Sequence, residues 1–165
     1  ILHCNTEYPT PINDVNLRAM ITIRDKLKVS VGYSDHTEGT DVAPAAVALG
    51  ASIIEKHITL NKNMRGPDHK ASIDESELKL MIKRIRNTET ILGKSSKKPT
   101  QSEKKNIKIA RNALVAKNYI KKGQKFSLGN LTAKRPAIGI SPMKIKKIIG
   151  KKAKKNFVYD EPIKI

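Results

Sequence analysis

A chain of 165 residues is long enough for one ordinary domain or two small ones. It has no run of roughly 18 apolar residues, which excludes a membrane-spanning helix; the most apolar region, Val42 to Ile54, is shorter and is interrupted by Pro44 and Gly50. Its single cysteine, Cys4, excludes an internal disulfide and leans towards a reducing compartment. With no basic-then-apolar leader in the sequence, the expected location is cytoplasmic. The net charge of +18 is unevenly placed. Up to Leu92, twelve Lys and Arg face twelve Asp and Glu, whereas from Gly93 onward twenty-one basic residues face only Glu103, Asp160 and Glu161. All four histidines lie in the first part, so the chain reads as two modules with different work.

In chain order, Ile1 to Cys4 reads as a strand and Tyr8 to Pro11 as a proline-rich turn. Asn13 or Asp14 offers a cap to a helix whose Leu17, Met20, Ile23 and Leu27 recur at spacings of three and four. Lys28 to Ser34 reads as a second strand, with Val29 and Val31 on one face. Asp41 offers a cap to a second helix, with Pro44 in its first turn and Gly50 as its stop. Ser52 to His57 is a third strand. A third helix begins at Asp74, with Glu77 in the capping-box position, an apolar face of Leu78, Met81, Ile82, Ile85 and Leu92, and Gly93 as its end.

This strand-helix alternation predicts parallel strands with crossover helices. Three such strands are too few for a sheet covered on both faces, and polar residues crowd their C-terminal ends. The expected fold is therefore α/β, residues 1–93 forming the C-terminal portion of a (β/α)8 barrel, whose reacting groups sit at that end. An open doubly wound sheet has the same periodicity. Residues 94–106 read as a polar, Lys/Ser-rich linker, and residues 107–165 as a small β-rich domain with turns at Gly123, Gly129 and Pro136. Within that domain only Ser141 to Ile149 looks helical.

The segment Gly32-Tyr33-Ser34-Asp35-His36-Thr37 closes the second strand and Glu55-Lys56-His57 the third. On adjacent barrel strands, His36 and His57 can converge, and two neutral imidazoles suit Mn, Fe, Co or Zn with positions left for water and substrate. Spacing alone serves equally well a pair in which one histidine caps a strand end and the other binds a carbonyl. Gly66-Pro67-Asp68-His69-Lys70 is a polar loop in which Asp68 can orient a polyol or a water; a plain Pro-Asp turn with solvated charges is the simpler alternative. Cys4 adjoins His3, but neighbouring strand residues point to opposite faces, so these two diverge and Cys4 reads as a buried structural residue. The run Lys151-Lys152-Ala153-Lys154-Lys155 carries charge for nucleic acid, yet Tyr119, Phe126, Phe157 and Tyr159 show no stacking-platform spacing.

Together these segments resemble the sialic-acid synthase family, whose members join phosphoenolpyruvate to an N-acylated mannosamine-type sugar to give nine-carbon 2-keto sugar acids. The matching stretches are LHCNTEYPTP, VGYSDHT, AVALGASIIEKHITL and GPDHKAS, and IKKGQKFSLGNLTAKRPAIGISP resembles the family's C-terminal antifreeze-like (SAF, β-clip) domain. The resemblance begins partway through the family's barrel, at about the sixth strand. It implies that His36 and His57 hold a divalent metal, manganese first, with Mg2+ or Co2+ as substitutes. It implies that Ser34, Asn5, Thr6 and Tyr8 contact phosphoenolpyruvate, that Glu55 and Asp68 are catalytic, and that Asp68 and Arg135 meet the sugar. Arg135 would reach into a neighbouring subunit, making the assembly a domain-swapped homodimer with the SAF domain over the neighbour's barrel. The CNTEYP and GPDHKAS forms look most like synthases of legionaminic acid, with N-acetylneuraminate as the close alternative. The expected protein is thus a transferase forming a C–C bond, with the 165 residues alone inactive. No membrane or nucleic-acid partner is expected, and the competing reading is a non-catalytic basic module that binds nucleic acid or another polyanion.

Overall fold

The computed structural model describes residues 1–165. They divide into two compact units, Ile1–Ser95 and Ser96–Ile165. In the first, strands β1 (Leu2–Cys4), β2 (Gly32–Asp35) and β3 (Ile54–Lys56) form a parallel sheet in the order β1-β2-β3. Helices α1 (Arg18–Leu27), α2 (Val42–Ala48) and α3 (Glu75–Leu92) follow them in turn. The sheet is thus the strand-helix portion of a barrel that the sequence predicts. No helix is long and apolar enough to cross a membrane.

One face of this sheet is covered by helices. Val15, Met20, Val31, Tyr33, Val42 and Ala46 form one buried cluster, and Ala43, Ile73 and Met81 a second, against which Leu78 and Ile85 pack. Tyr33 is fully buried there, and burial pushes its hydroxyl pKa up to about 12. Gly32 sits where the strands are tightest: a Cβ would stand 2.5 Å from the Ile53 carbonyl oxygen and from a Leu2 methyl.

Several boundaries differ from the sequence expectation, each for a local reason. Ile12–Asp14 is a separate 3-10 turn, and Asn16, in the left-handed region at φ 43°, breaks the chain before α1 begins without a side-chain cap. Lys28 ends α1 in a left-handed cap whose N–H reaches the Arg24 carbonyl, so β2 starts at Gly32 rather than Lys28. Val31 is buried while Val29 is exposed. Asp41 occupies the N-cap position of α2, but its carboxylate bonds Arg84 of α3 instead of the helix backbone. In α3, Ile82 and Leu92 are exposed, so the working apolar face is Leu78, Met81 and Ile85.

The start of α3 is a complete capping box: Asp74 accepts from the Glu77 N–H at 2.9 Å and Glu77 accepts from the Asp74 N–H at 2.9 Å. Lys62 adds an ion pair to Glu77 at 2.5 Å. The Glu77 backbone bond holds the Asp74 carboxyl below its ordinary pKa, and the Lys62 contact does the same for Glu77.

In the second unit, Thr100 caps a short helix, α4 (Gln101–Lys104), within the stretch that composition reads as linker, and α5 (Ile107–Ala110) follows. Antiparallel strands β4 (Ala113–Ala116) and β5 (Leu131–Lys134) then pair, with single bridges joining Val115 to Pro162, Ile120 to Phe157 and Lys125 to Lys152. The stretch from Ser141 is a 3-10 turn over Pro142–Lys147 rather than an α-helix. Leu114, Ile120, Phe126, Leu131, Phe157 and Ile163 fill the core, where the Phe126 and Phe157 rings meet edge to face at 5.9 Å.

Phe157 is fully buried, so Phe157→Ala is expected to destabilise this unit by roughly 3–5 kcal/mol, read from its chemical denaturation midpoint. The capping carboxylates have folded pKa values below their unfolded ones. Their stabilisation is therefore complete above the ordinary carboxylate range and is lost as the pH falls below about 4. The Tm deficit of Asp74→Ala should accordingly be largest near neutrality and shrink towards about pH 3.

Candidate active site

The strand register sets the site. Cys4, Ser34 and Glu55 stand side by side across β1, β2 and β3. Side chains alternate along a strand, so this row faces away from the buried Tyr33, and His36 and His57, two residues further on, share its side. Ser34 donates to the Glu55 carboxylate at 2.6 Å, and its Oγ lies 3.5 Å from His36 Nε2. Ser34 is buried and Glu55 exposed.

The two imidazoles meet. Their ring centroids are 5.3 Å apart with an interplanar angle of 68°. The Tyr8 ring packs on both, 4.4 Å from His57 and 5.3 Å from His36, while its hydroxyl lies 3.2 Å from Ser72 Oγ. Asp68 Oδ2 stands 3.6 Å from His57 Nδ1. Asp68 is positioned by a loop that returns to the sheet, where the Ile73 N–H bonds the His57 carbonyl at 3.0 Å. Within that loop His69 Nδ1 is 2.8 Å from Thr59 Oγ1, and Gly66 passes so close that a Cβ would lie 2.8 Å from the His69 ring.

Of the remaining expected residues, Asn5 uses its side chain on its own loop, accepting from the Glu7 N–H at 2.8 Å and donating to the Asp14 carbonyl at 3.4 Å. Thr6 is exposed. Arg135 belongs to the second unit, beside Pro136, Ile109 and Asn106 in a shallow depression.

Three residues escaped the sequence reading. Cys4 is exposed rather than buried, and its Sγ lies 3.7 and 3.8 Å from the two nitrogens of His36. Its divergence from His3 is real, since His3 faces Val15 and Tyr33. The error lay in which face of β1 is covered. Thr10 is buried, its N–H bonding the His36 carbonyl at 2.9 Å, and Ser72 receives the Tyr8 hydroxyl. Both contacts link segments far apart in the chain and leave no local signal.

For a divalent metal, the donor set is two imidazoles with nearby carboxylates. No group of three or more His, Cys, Asp or Glu side chains is arranged to hold an ion; His36 and His57 are the two imidazoles that stand together at the strand ends. Two imidazoles on adjacent strand ends are a donor type that suits a borderline divalent cation, with its other positions left to further ligands.

Parallel β/α units with a polar cluster at their C-terminal ends are the arrangement expected of part of a (β/α)8 barrel. Residues 1–97 match the NeuB family and residues 111–165 the SAF domain. The chain is 56% identical to the N,N'-diacetyllegionaminic acid synthase of Campylobacter jejuni, over 99% of its own length and 49% of that protein's. It is 37% identical to the human N-acetylneuraminate-9-phosphate synthase, over 98% of its length and 46% of that protein's. Among solved structures it resembles the N-acetylneuraminic acid synthetase of Leptospira borgpetersenii, described in complex with citrate. That match has 38% identity and a TM-score of 0.58, and covers 64% of this chain and 37% of that one. The chain belongs to the NeuB family of sialic-acid-type synthases, with a SAF domain following. It spans about half the length of the curated relatives it matches.

Gly66→Ala puts a Cβ against His69 at φ 148°, where side chains are strained. It is expected to cost roughly 1–3 kcal/mol and to raise hydrogen exchange at the Ala71 to Ile73 amides, as the loop carrying Asp68 loosens.

Proposed function

We propose that this chain carries part of the active site of a phosphoenolpyruvate-dependent sugar-acid synthase. The enzyme would condense phosphoenolpyruvate with an N-acylated mannosamine-type sugar to give a nine-carbon 2-keto sugar acid and phosphate. The observation that carries this reading is the convergence of His36, His57, Ser34, Glu55, Tyr8 and Asp68 at the ends of adjacent parallel strands. Its weight comes from finding that cluster in a chain 56% identical to a diacetyllegionaminic acid synthase. That identity also favours a 2,4-diacetamido sugar as acceptor, with N-acetylmannosamine the alternative.

In the proposed reaction, C3 of phosphoenolpyruvate attacks the aldehyde carbon of the open-chain sugar. Water adds to C2, and phosphate leaves with its bridging oxygen. His36 and His57 would hold a divalent metal, Mn2+ or in its place Mg2+ or Co2+, which supplies Lewis acidity when bound. Ser34, Tyr8, Asn5 and Thr6 bind the enol phosphate from the β1 and β2 ends. Glu55, held by the Ser34 hydroxyl, and Asp68, beside His57, would take the proton of the attacking water and protonate the new hydroxyl. Arg135 offers a forked, permanently charged donor set for the N-acyl sugar, from the SAF domain of the neighbouring subunit in a domain-swapped homodimer.

A polyanion-binding module is the weaker reading. Phe126 and Phe157, two of the four aromatics in the basic unit, are core residues and so offer no bases a surface to stack on.

The test uses full-length protein. His36→Ala with His57→Ala should abolish Mn2+ binding and lower synthase activity by at least about 100-fold with an unchanged circular dichroism spectrum. Asp68→Ala with Arg135→Ala should lower activity and leave Mn2+ binding in place. Normal turnover in that second variant would overturn the site assignment. Relative kcat/KM on 2,4-diacetamido sugar and N-acetylmannosamine decides the acceptor.

A further inference from the structure

Behind the histidine pair lies a buried ion pair that the chemistry above does not use. Asp35 and Lys56 are register partners on β2 and β3, and each immediately precedes one of the histidines. Their side chains are 0% and 4% exposed, and Lys56 Nζ stands 3.1 Å from Asp35 Oδ2. That oxygen is buried, has no hydrogen bond of good geometry, and faces the ammonium alone. The other carboxylate oxygen accepts from the Thr37 N–H at 3.0 Å and from the Thr37 hydroxyl at 2.7 Å. Lys56 in turn donates to the Thr37 carbonyl. Thr37, fully buried, therefore has its N–H, hydroxyl and carbonyl all committed to this pair.

We propose that Asp35, Lys56 and Thr37 form a positioning unit that fixes where His36 and His57 stand. The physical argument is one of register. The ion pair sits on the helix-covered side of the sheet and the histidines on the other, so it can touch neither imidazole. His36 is bracketed by two residues of the unit, and His57 follows the third. A slip of β3 against β2 by one residue would separate the buried charges and carry His57 to the wrong face. An apolar pair of similar size would fill the same space without the cost of desolvating two charges. What the ionic version adds is a penalty against every other register. The proposal rests on the reading of His36 and His57 as a metal pair.

The experiment measures Mn2+ affinity, by electron paramagnetic resonance of the free ion, and metal-free Tm in full-length protein. Lys56→Met and Asp35→Asn should each weaken Mn2+ binding roughly 10–100-fold and lower Tm. The double variant Asp35→Leu with Lys56→Met removes both charges, and decides the matter should either single variant fail to fold. It is expected to regain most of the lost Tm while Mn2+ binding stays at least about tenfold weakened. A double variant that recovers Tm and affinity together would make the pair merely structural and overturn the proposal, as would single variants that bind Mn2+ like wild type. If wild-type protein binds no Mn2+, or binds it equally well after His36→Ala with His57→Ala, the metal reading fails first and the proposal fails with it.

Discussion

The first unit is governed by the pleat of three short parallel strands. Because alternate residues face opposite sides, the stretch through β2 and the residue after it puts Tyr33 and Asp35 under the helices and Ser34 and His36 on the other face. β3 repeats the division with Lys56 and Glu55. Each polar group on the open face thus has a packed or paired group directly behind it. The chemistry of the site and the stability of the unit are written in alternating letters of the same few residues, so neither changes without moving the other.

Loops complete what the strands begin. The segment after β1 folds back so that Thr10 holds the His36 carbonyl and Tyr8 covers both imidazoles. The segment after β3 returns through Ile73 to the His57 carbonyl, bringing Asp68 alongside. Each histidine is therefore tied through its backbone by a neighbouring loop, and the side chains that surround them come from three separate stretches of chain. Such preorganisation favours a site whose groups stand ready before substrate arrives.

The strands and their parallel order were legible in the sequence, because period-two patterning and the ends of apolar runs are local signals; the meeting of His36 with His57 was left open by spacing and was expected only through the family resemblance. The capping box at Asp74 and Glu77 was legible for the same reason. What was not legible depends on contacts across the chain. Cys4 reads as a buried structural residue once strand alternation turns it away from His3, and only the sheet order shows that its side faces His36. Asp41 has the sequence signature of a cap, yet Arg84, more than forty residues on, claims its carboxylate. Lys28 looks like strand but takes the left-handed turn that ends α1. The Asp35–Lys56 pair is invisible to any one-dimensional reading, since its partners lie on different strands and charge in a sequence ordinarily signals surface.

The second unit keeps its apolar residues inside and its many lysines outside. Its core is built from aliphatic side chains and two phenylalanines, and none of its lysines is buried. Lysines held outside a core can be exchanged for other polar residues, or accumulate, with little effect on folding. The excess of basic residues from Gly93 onward is thus a property of this unit's surface and not of the packing that holds it together. What specifies this fold is therefore carried by the few inward-facing positions, and the abundant residues at its periphery are left open to other demands.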